Sequence, residues 1–168
     1  ATANGQNGSN DSWDLAGNWS AGLPSGTDAA IIDTGLFADV WYDGSPDTPP
    51  GGTQSYSGGL TLNANSAVQI GWTTFHASNI NALGTGPITM HEGSQISLRH
   101  ATTVDIDQGI TLAGDASLHL SPSTSAHHQT RNIGTAINGP YTFTAIGNNN
   151  NLLNFDTTNT FSELILDA

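Results

Sequence analysis

Residues 88–100 read ITMHEGSQISLRH and gather His91, Glu92, Arg99 and His100 within thirteen positions. Imidazole, carboxylate and guanidinium together could move protons or hold a metal ion. The spacing argues against both. The string is not H-E-x-x-H, and no helical period brings the two imidazoles onto one face. Alternation of apolar and polar residues makes the stretch a strand, a corner and a second strand, with His91 and His100 on different parts of the surface. Glycoside hydrolysis would need two carboxylates about 5–9 Å apart. Glu92 and Glu163 are the only glutamates, although the many Asp could pair in principle, and no Ser-His-Asp spacing stands out. The absence of lysine also disfavours a lyase that steadies an enolate with a cation. The residues therefore predict a non-catalytic protein.

The elements that would position these side chains come from repetition. The segments GLTLNANSAVQIGW (59–72), GPITMHEGSQISLRH (86–100) and GITLAGDASLHLSP (109–122) share one form: glycine, strand, small-residue corner, strand. Leu60, Ile88 and Ile110 correspond, as do Leu62, Met90 and Leu112, then Val68, Ile96 and Leu118, then Ile70, Leu98 and Leu120. The copies are offset by 28 and 22 residues, as expected if the variable part is a loop. PYTFTAIGNNNNLLNF (140–155) is a fainter copy, and AAIID with ADVWYD an earlier one, in which Val40 and Tyr42 take the places of Val68 and Ile70. Repeats of this length that cannot bury their apolar side alone predict an all-β fold, a right-handed parallel β-helix (a single-stranded solenoid) of about five coils. An antiparallel sandwich would also alternate, but would not predict copies that align position for position.

Residues 1–12 lack apolar character and are expected to be a flexible lead; the β-helix domain is expected over 13–168. Trp13 and Trp19 are expected to plug the open N-terminal end and form a cap. At the other end FSELILDA has no evident cap, as if cut from a longer chain. The composition narrows the partners. Asp and Glu number 14 against Arg99 and Arg131, for a net charge of −12. Such a surface repels phosphate backbones and anionic lipid heads, which excludes nucleic acid and membrane insertion as expectations. A neutral glycan or a cation remains. There is no cysteine, and polarity comes from Asn, Thr, Ser and 20 Gly, a composition that points to an extracellular setting.

With the coils aligned, outward residues form columns about 4.8 Å apart. One column is expected to run Trp41, Gln69, Ser97, His119, and the next Asp43, Gly71, Arg99, Ser121, with Trp72 and His100 neighbours at the adjoining corner. Aromatic faces pack against the C–H face of a sugar, and amide, carboxylate, guanidinium and imidazole groups exchange hydrogen bonds with its hydroxyls. Trp41, Asp43, Gln69, Trp72, Arg99, His100 and His119 are therefore the candidate ligand-binding residues. The competing reading packs Trp41 and Trp72 beneath the loops 44–58 and 73–85. Phe75 and His76 read as loop anchors, and His127 and His128 as solvated. Asp39, Asp43 and Asp47 offer hard oxygen ligands suited to a structural calcium ion, without the D-x-D-x-D-G spacing of a calcium loop; no other cofactor is expected.

The segment GTAINGPYTFTAIGNNNNLLNFDTTNTFSELILDA (134–168) resembles the autotransporter-associated β-strand repeat of secreted bacterial β-helices. Ile137–Gly139, Gly147 and Asn159–Ser162 match its steps, and Glu163 stands where the repeat has Gly. In size and setting the chain is also similar to a family of small β-helical carbohydrate-binding modules that bind xylan beside a catalytic domain. These resemblances imply a secreted bacterial protein. The first expectation is a carbohydrate-binding module of a plant-polysaccharide-degrading enzyme, joined to a catalytic domain and binding a neutral β-glycan such as xylan. The alternative is a structural passenger or adhesin segment of a surface protein. An ice-binding face would need a repeated threonine ladder, and Thr61, Thr89 and Thr111 give only one column.

Overall fold

The computed structural model describes residues 2–3, 19–42, 56–72, 83–98, 103–120, 129–147, 151–155 and 157–167. Strand follows strand: β1 (Thr2–Ala3), β2 (Ala30–Ile32), β3 (Phe37–Tyr42), β4 (Leu60–Leu62), β5 (Ala67–Trp72), β6 (Ile88–Met90), β7 (Ser94–Leu98) and β8 (Thr103–Ile106). They continue with β9 (Ile110–Leu112), β10 (Ala116–Leu120), β11 (Gln129–Ile133), β12 (Ile137–Asn138), β13 (Thr142–Ile146), β14 (Asn151–Phe155) and β15 (Glu163–Asp167). Among the described residues there is no helix.

The strands make three sheets, ordered β1-β2-β4-β6-β9-β12, β15-β13-β10-β7-β5-β3 and β14-β11-β8. Every pairing between the described strands is parallel. That rules out the hairpin-built sandwich, whose neighbours in sequence would pair antiparallel. From β6 onward the chain visits the first, second and third sheets in the same order, β6-β7-β8, β9-β10-β11, β12-β13-β14. In the faint copy at 140–155 the two strands thus belong to the second and third sheets; its first-sheet strand is the two-residue β12.

The repeats stack as aligned. Leu60 pairs with Ile88 and Ile88 with Ile110; Leu62 pairs with Met90 and Met90 with Leu112. In the second sheet Val68, Ile96 and Leu118 share one row across the strands, and Ile70, Leu98 and Leu120 another. Like sits over like because a period of two sends every second side chain inward, and parallel pairing keeps that parity from layer to layer. Ile32, Leu62, Ile88, Met90, Val68, Ile96 and Leu98 are at most 1% exposed. Each such side chain contributes about 1.5–3 kcal/mol by leaving water. The third sheet adds Ile106 and Ile133 to the same core.

The earliest copy departs from the expected register. Ala38 pairs with Val68, Val40 with Ile70 and Tyr42 with Trp72, so Val40 and Tyr42 lie two residues further along than the sequence alignment places them. A slip of two leaves every residue on its own face, so alternation alone does not detect it. At the N-terminal end, Thr2 and Ala3 fall in the stretch expected to be a flexible lead, yet they pair with Ile31 and Ile32. Trp19 is 5% exposed and packs in the core cluster; Trp13 lies outside the described residues.

Two local features lock neighbouring layers. The corner between β4 and β5 turns at Asn65, whose φ is 57°, and the equivalent corners of the layers on either side turn at Gly35 and Gly93, with φ of 71° and 68°. Asparagine tolerates this left-handed conformation better than other side chains. Four residues before β4, Tyr56 is fully buried and its hydroxyl donates to the Leu83 carbonyl at 2.7 Å. Its ring occupies the space a side chain would take at Gly84 in the next layer, where an added Cβ would lie 2.7 Å from the ring. Burial pushes the Tyr56 phenol far above its ordinary range, because the charged phenolate would be stripped of water.

Candidate outward face of the second sheet

The second sheet presents its polar residues in rows across six strands. One row runs Phe37, Ala67, Gln95, Ser117, Thr144, Ile165. The other runs Asp39, Gln69, Ser97, His119, Ile146, Asp167. The expected row therefore stands from Gln69 to His119, with one correction. Asp39, not Trp41, is level with Gln69; Trp41 is level with Gly71 and Trp72 with Tyr42. The cause is the two-residue register shift of β3.

Gln69, Gln95, Ser117, His119 and Thr144 are half-buried, and Ser97 is 4% exposed. The amide nitrogen of Gln95 stands 3.4 Å from Nδ1 of His119. With the imidazole proton on Nε2, Gln95 donates to Nδ1 of His119. Gln95 does not figure among the expected contacts. The signal that could have found it is parity: it lies two residues before Ser97 and so on the same face. A face of amides, hydroxyls and one imidazole can exchange hydrogen bonds with neutral hydroxyl groups. Beyond Asp39 and Asp167 its described rows carry no charge with which to attract an ion.

Trp41, Trp72 and Asp39 are described by strand position alone. Asp43, Asp47, Arg99 and His100 lie outside the described residues, as do Phe75, His76, His127 and His128. The proposed neighbourhood of Trp72 and His100, and the calcium set Asp39, Asp43 and Asp47, therefore rest on sequence. Among the described residues no three or more His, Cys, Asp or Glu side chains converge as metal ligands would.

The carboxylates at the corner between the first and second sheets have structural work. The Asp115 backbone N–H donates to Oε2 of Glu92 at 3.0 Å, and the Thr142 N–H donates to Oδ1 of Asp115 at 2.8 Å. Asp33 accepts from the Asn63 side chain at 3.2 Å. Each carboxylate thereby caps backbone or amide of the layer that follows. His91 is half-buried at this corner, and its backbone N–H donates to the Leu62 carbonyl. It is level with Asn63 and away from the outward rows of the second sheet. Of the cluster His91, Glu92, Arg99 and His100, the first two thus lie at a corner and the last two outside the described residues. Comparison with known proteins finds no matching family model, no matching curated protein and no matching solved structure.

Proposed function

We propose that the chain is a right-handed parallel β-helix of about five coils with an N-terminal cap, and that it acts as a non-catalytic carbohydrate-binding module. The coil reading is supported by the cyclic visits to three parallel sheets and by the stacked aliphatic rows. The binding reading rests on one observation. Gln69, Ser97 and His119 occupy one row on successive strands, with Gln95 in contact with His119. Strands about 4.8 Å apart give a glycan chain laid across them a repeating set of hydrogen-bond partners. The net charge of −12 favours a neutral polymer such as xylan over a uronate. Trp41, on the parity of Asp39, would stack on a sugar ring, and Trp72, at the end of β5 on the parity of Val68 and Ile70, would do so only from the adjoining corner, with Asp43, Arg99 and His100 as further polar contacts. The setting is an extracellular bacterial enzyme that degrades plant polysaccharide, the module standing beside its catalytic domain, in keeping with the resemblances of the sequence.

The alternative is a structural passenger or adhesin segment. One observation favours it: Ser97, at the centre of the row, is 4% exposed, as a covered face would be. Affinity electrophoresis in gels holding xylan, mixed-linkage β-glucan, mannan or pectin separates the two. The module reading expects retardation by a neutral glycan, lost in Trp41→Ala and Trp72→Ala with melting unchanged. Unchanged mobility in every gel, with those variants melting lower, would sink it in favour of the scaffold.

A further inference from the structure

At the end of β12, Asn138 is followed by Gly139, and one hydroxyl touches the reactive atoms of both. Asn159 and Thr160 lie over β12 and are fastened to Ile137 on both its polar groups. The Ile137 N–H donates to the Asn159 side-chain oxygen at 2.8 Å, and the Thr160 N–H donates to the Ile137 carbonyl at 3.0 Å. That clamp sets Thr160 beside the next peptide bond. Its hydroxyl donates to Oδ1 of Asn138 at 3.1 Å and accepts from the Gly139 N–H at 3.4 Å. A hydroxyl can do both at once, having one proton to give and lone pairs to receive. Packing imposes the glycine. Its φ is 139°, and an added Cβ would run into the Leu112 carbonyl of the layer before. The fold thus places after Asn138 the one residue with no side chain beside its amide nitrogen. Asn138 itself is exposed, in the outward row of Thr111, where water reaches its amide.

We propose that Asn138 and Gly139 form a self-modifying site, at which the chain converts its own asparagine to aspartate and isoaspartate with Thr160 as the proton relay. The Gly139 nitrogen bonds to Cγ of Asn138. As it does so, its proton passes to Oγ1 of Thr160 and the Thr160 proton passes to Oδ1. The tetrahedral carbon so formed carries a hydroxyl and the amide NH2. Transfer of the hydroxyl proton to that NH2 breaks the C–N bond, releases ammonia and leaves a succinimide ring. Water then opens either carbonyl of the ring. The sum is asparagine and water giving a carboxyl group and ammonia, with nothing oxidised or reduced. Opening at the main-chain carbonyl gives isoaspartate, which lengthens the backbone by a carbon at the end of β12, where only Ile137 and Asn138 pair with β9. The site is independent of the glycan reading.

The test incubates the whole chain at neutral pH in heavy-oxygen water, so that conversion during the experiment is labelled. The fragment holding residue 138 is followed by mass spectrometry with electron-transfer fragmentation, which separates isoaspartate from aspartate. Asn4 and Asn7 also precede glycine, so each position is read from its own fragment. A capped peptide, Thr-Ala-Ile-Asn-Gly-Pro-Tyr, carries the same step without the relay. Asn138 in the whole chain is expected to convert at least about tenfold faster than in the peptide, as a positioned proton donor and acceptor would make it. Thr160→Val should bring the rate down to that of the peptide or below at an unchanged melting temperature, and Thr160→Ser should keep it. Asn138→Gln should form neither product at this position. Conversion no faster in the whole chain than in the peptide, or equal in the parent and Thr160→Val, would overturn the proposal. If Thr160→Val melts lower, the comparison of parent with peptide still decides.

Discussion

Burial of Tyr56 ties part of the chain's alkaline stability to its hydroxyl. The sequence has no lysine and three tyrosines, Tyr42, Tyr56 and Tyr141. Above about pH 9 the tyrosines are therefore the side chains that change charge, since arginine stays protonated. In the unfolded chain Tyr56 loses its proton near the ordinary value of 10.0. In the folded protein burial holds the proton on far above that. The native state then binds more protons than the unfolded one, and stability falls as pH rises past 10. Linkage puts the loss at about 1 kcal/mol by pH 11 and about 3 kcal/mol by pH 12, with none below about pH 9. Tyr56→Phe removes this dependence. At pH 7 it should cost about 1–2 kcal/mol, because the Leu83 carbonyl loses its partner inside the core. The two stability curves should therefore converge and cross near pH 11. Urea unfolding followed by tryptophan fluorescence from pH 7 to 12 measures both curves, and Tyr42 and Tyr141 cancel in the comparison. The reasoning fails if Tyr56→Phe keeps the same alkaline slope. It fails equally if all three tyrosines of the native protein titrate by absorbance near pH 10.

Other perturbations test the stacking. Leu98→Ala empties a fully buried position of the second sheet and should destabilise by about 2–5 kcal/mol in urea; a loss below about 1 kcal/mol would mean that Leu98 is not stacked between Ile70 and Leu120. Gly84→Ala places a Cβ 2.7 Å from the Tyr56 ring at a φ of +76°, and the strain with the overpacking should cost about 2–4 kcal/mol, read as a lowered melting temperature. Asn159→Ala removes the 2.8 Å bond from the Ile137 N–H to the Asn159 side chain and should cost about 1 kcal/mol, with faster exchange of the Ile137 amide. Gln95→Ala should leave melting within about 0.5 kcal/mol of the parent while weakening glycan retardation, and unaltered retardation would remove Gln95 from the binding face.

The sequence by itself determined which residues face inward and which repeats lie over one another. Leu60, Ile88 and Ile110, or Val68, Ile96 and Leu118, are legible because a strand has a period of two and each parallel layer repeats the parity of the one below. The charge balance, too, needs no coordinates. Only the tertiary structure decided the register of β3, because a slip of two preserves parity and so leaves no trace in the pattern. It also decided the third sheet, whose strands β8, β11 and β14 follow links of unequal length that blur the repeat. Gln95 meets His119 from 24 positions away, and Tyr56 fills the place of a side chain at Gly84 from the layer before. Such contacts belong to the distance between strands, about 4.8 Å in space whatever the separation along the chain.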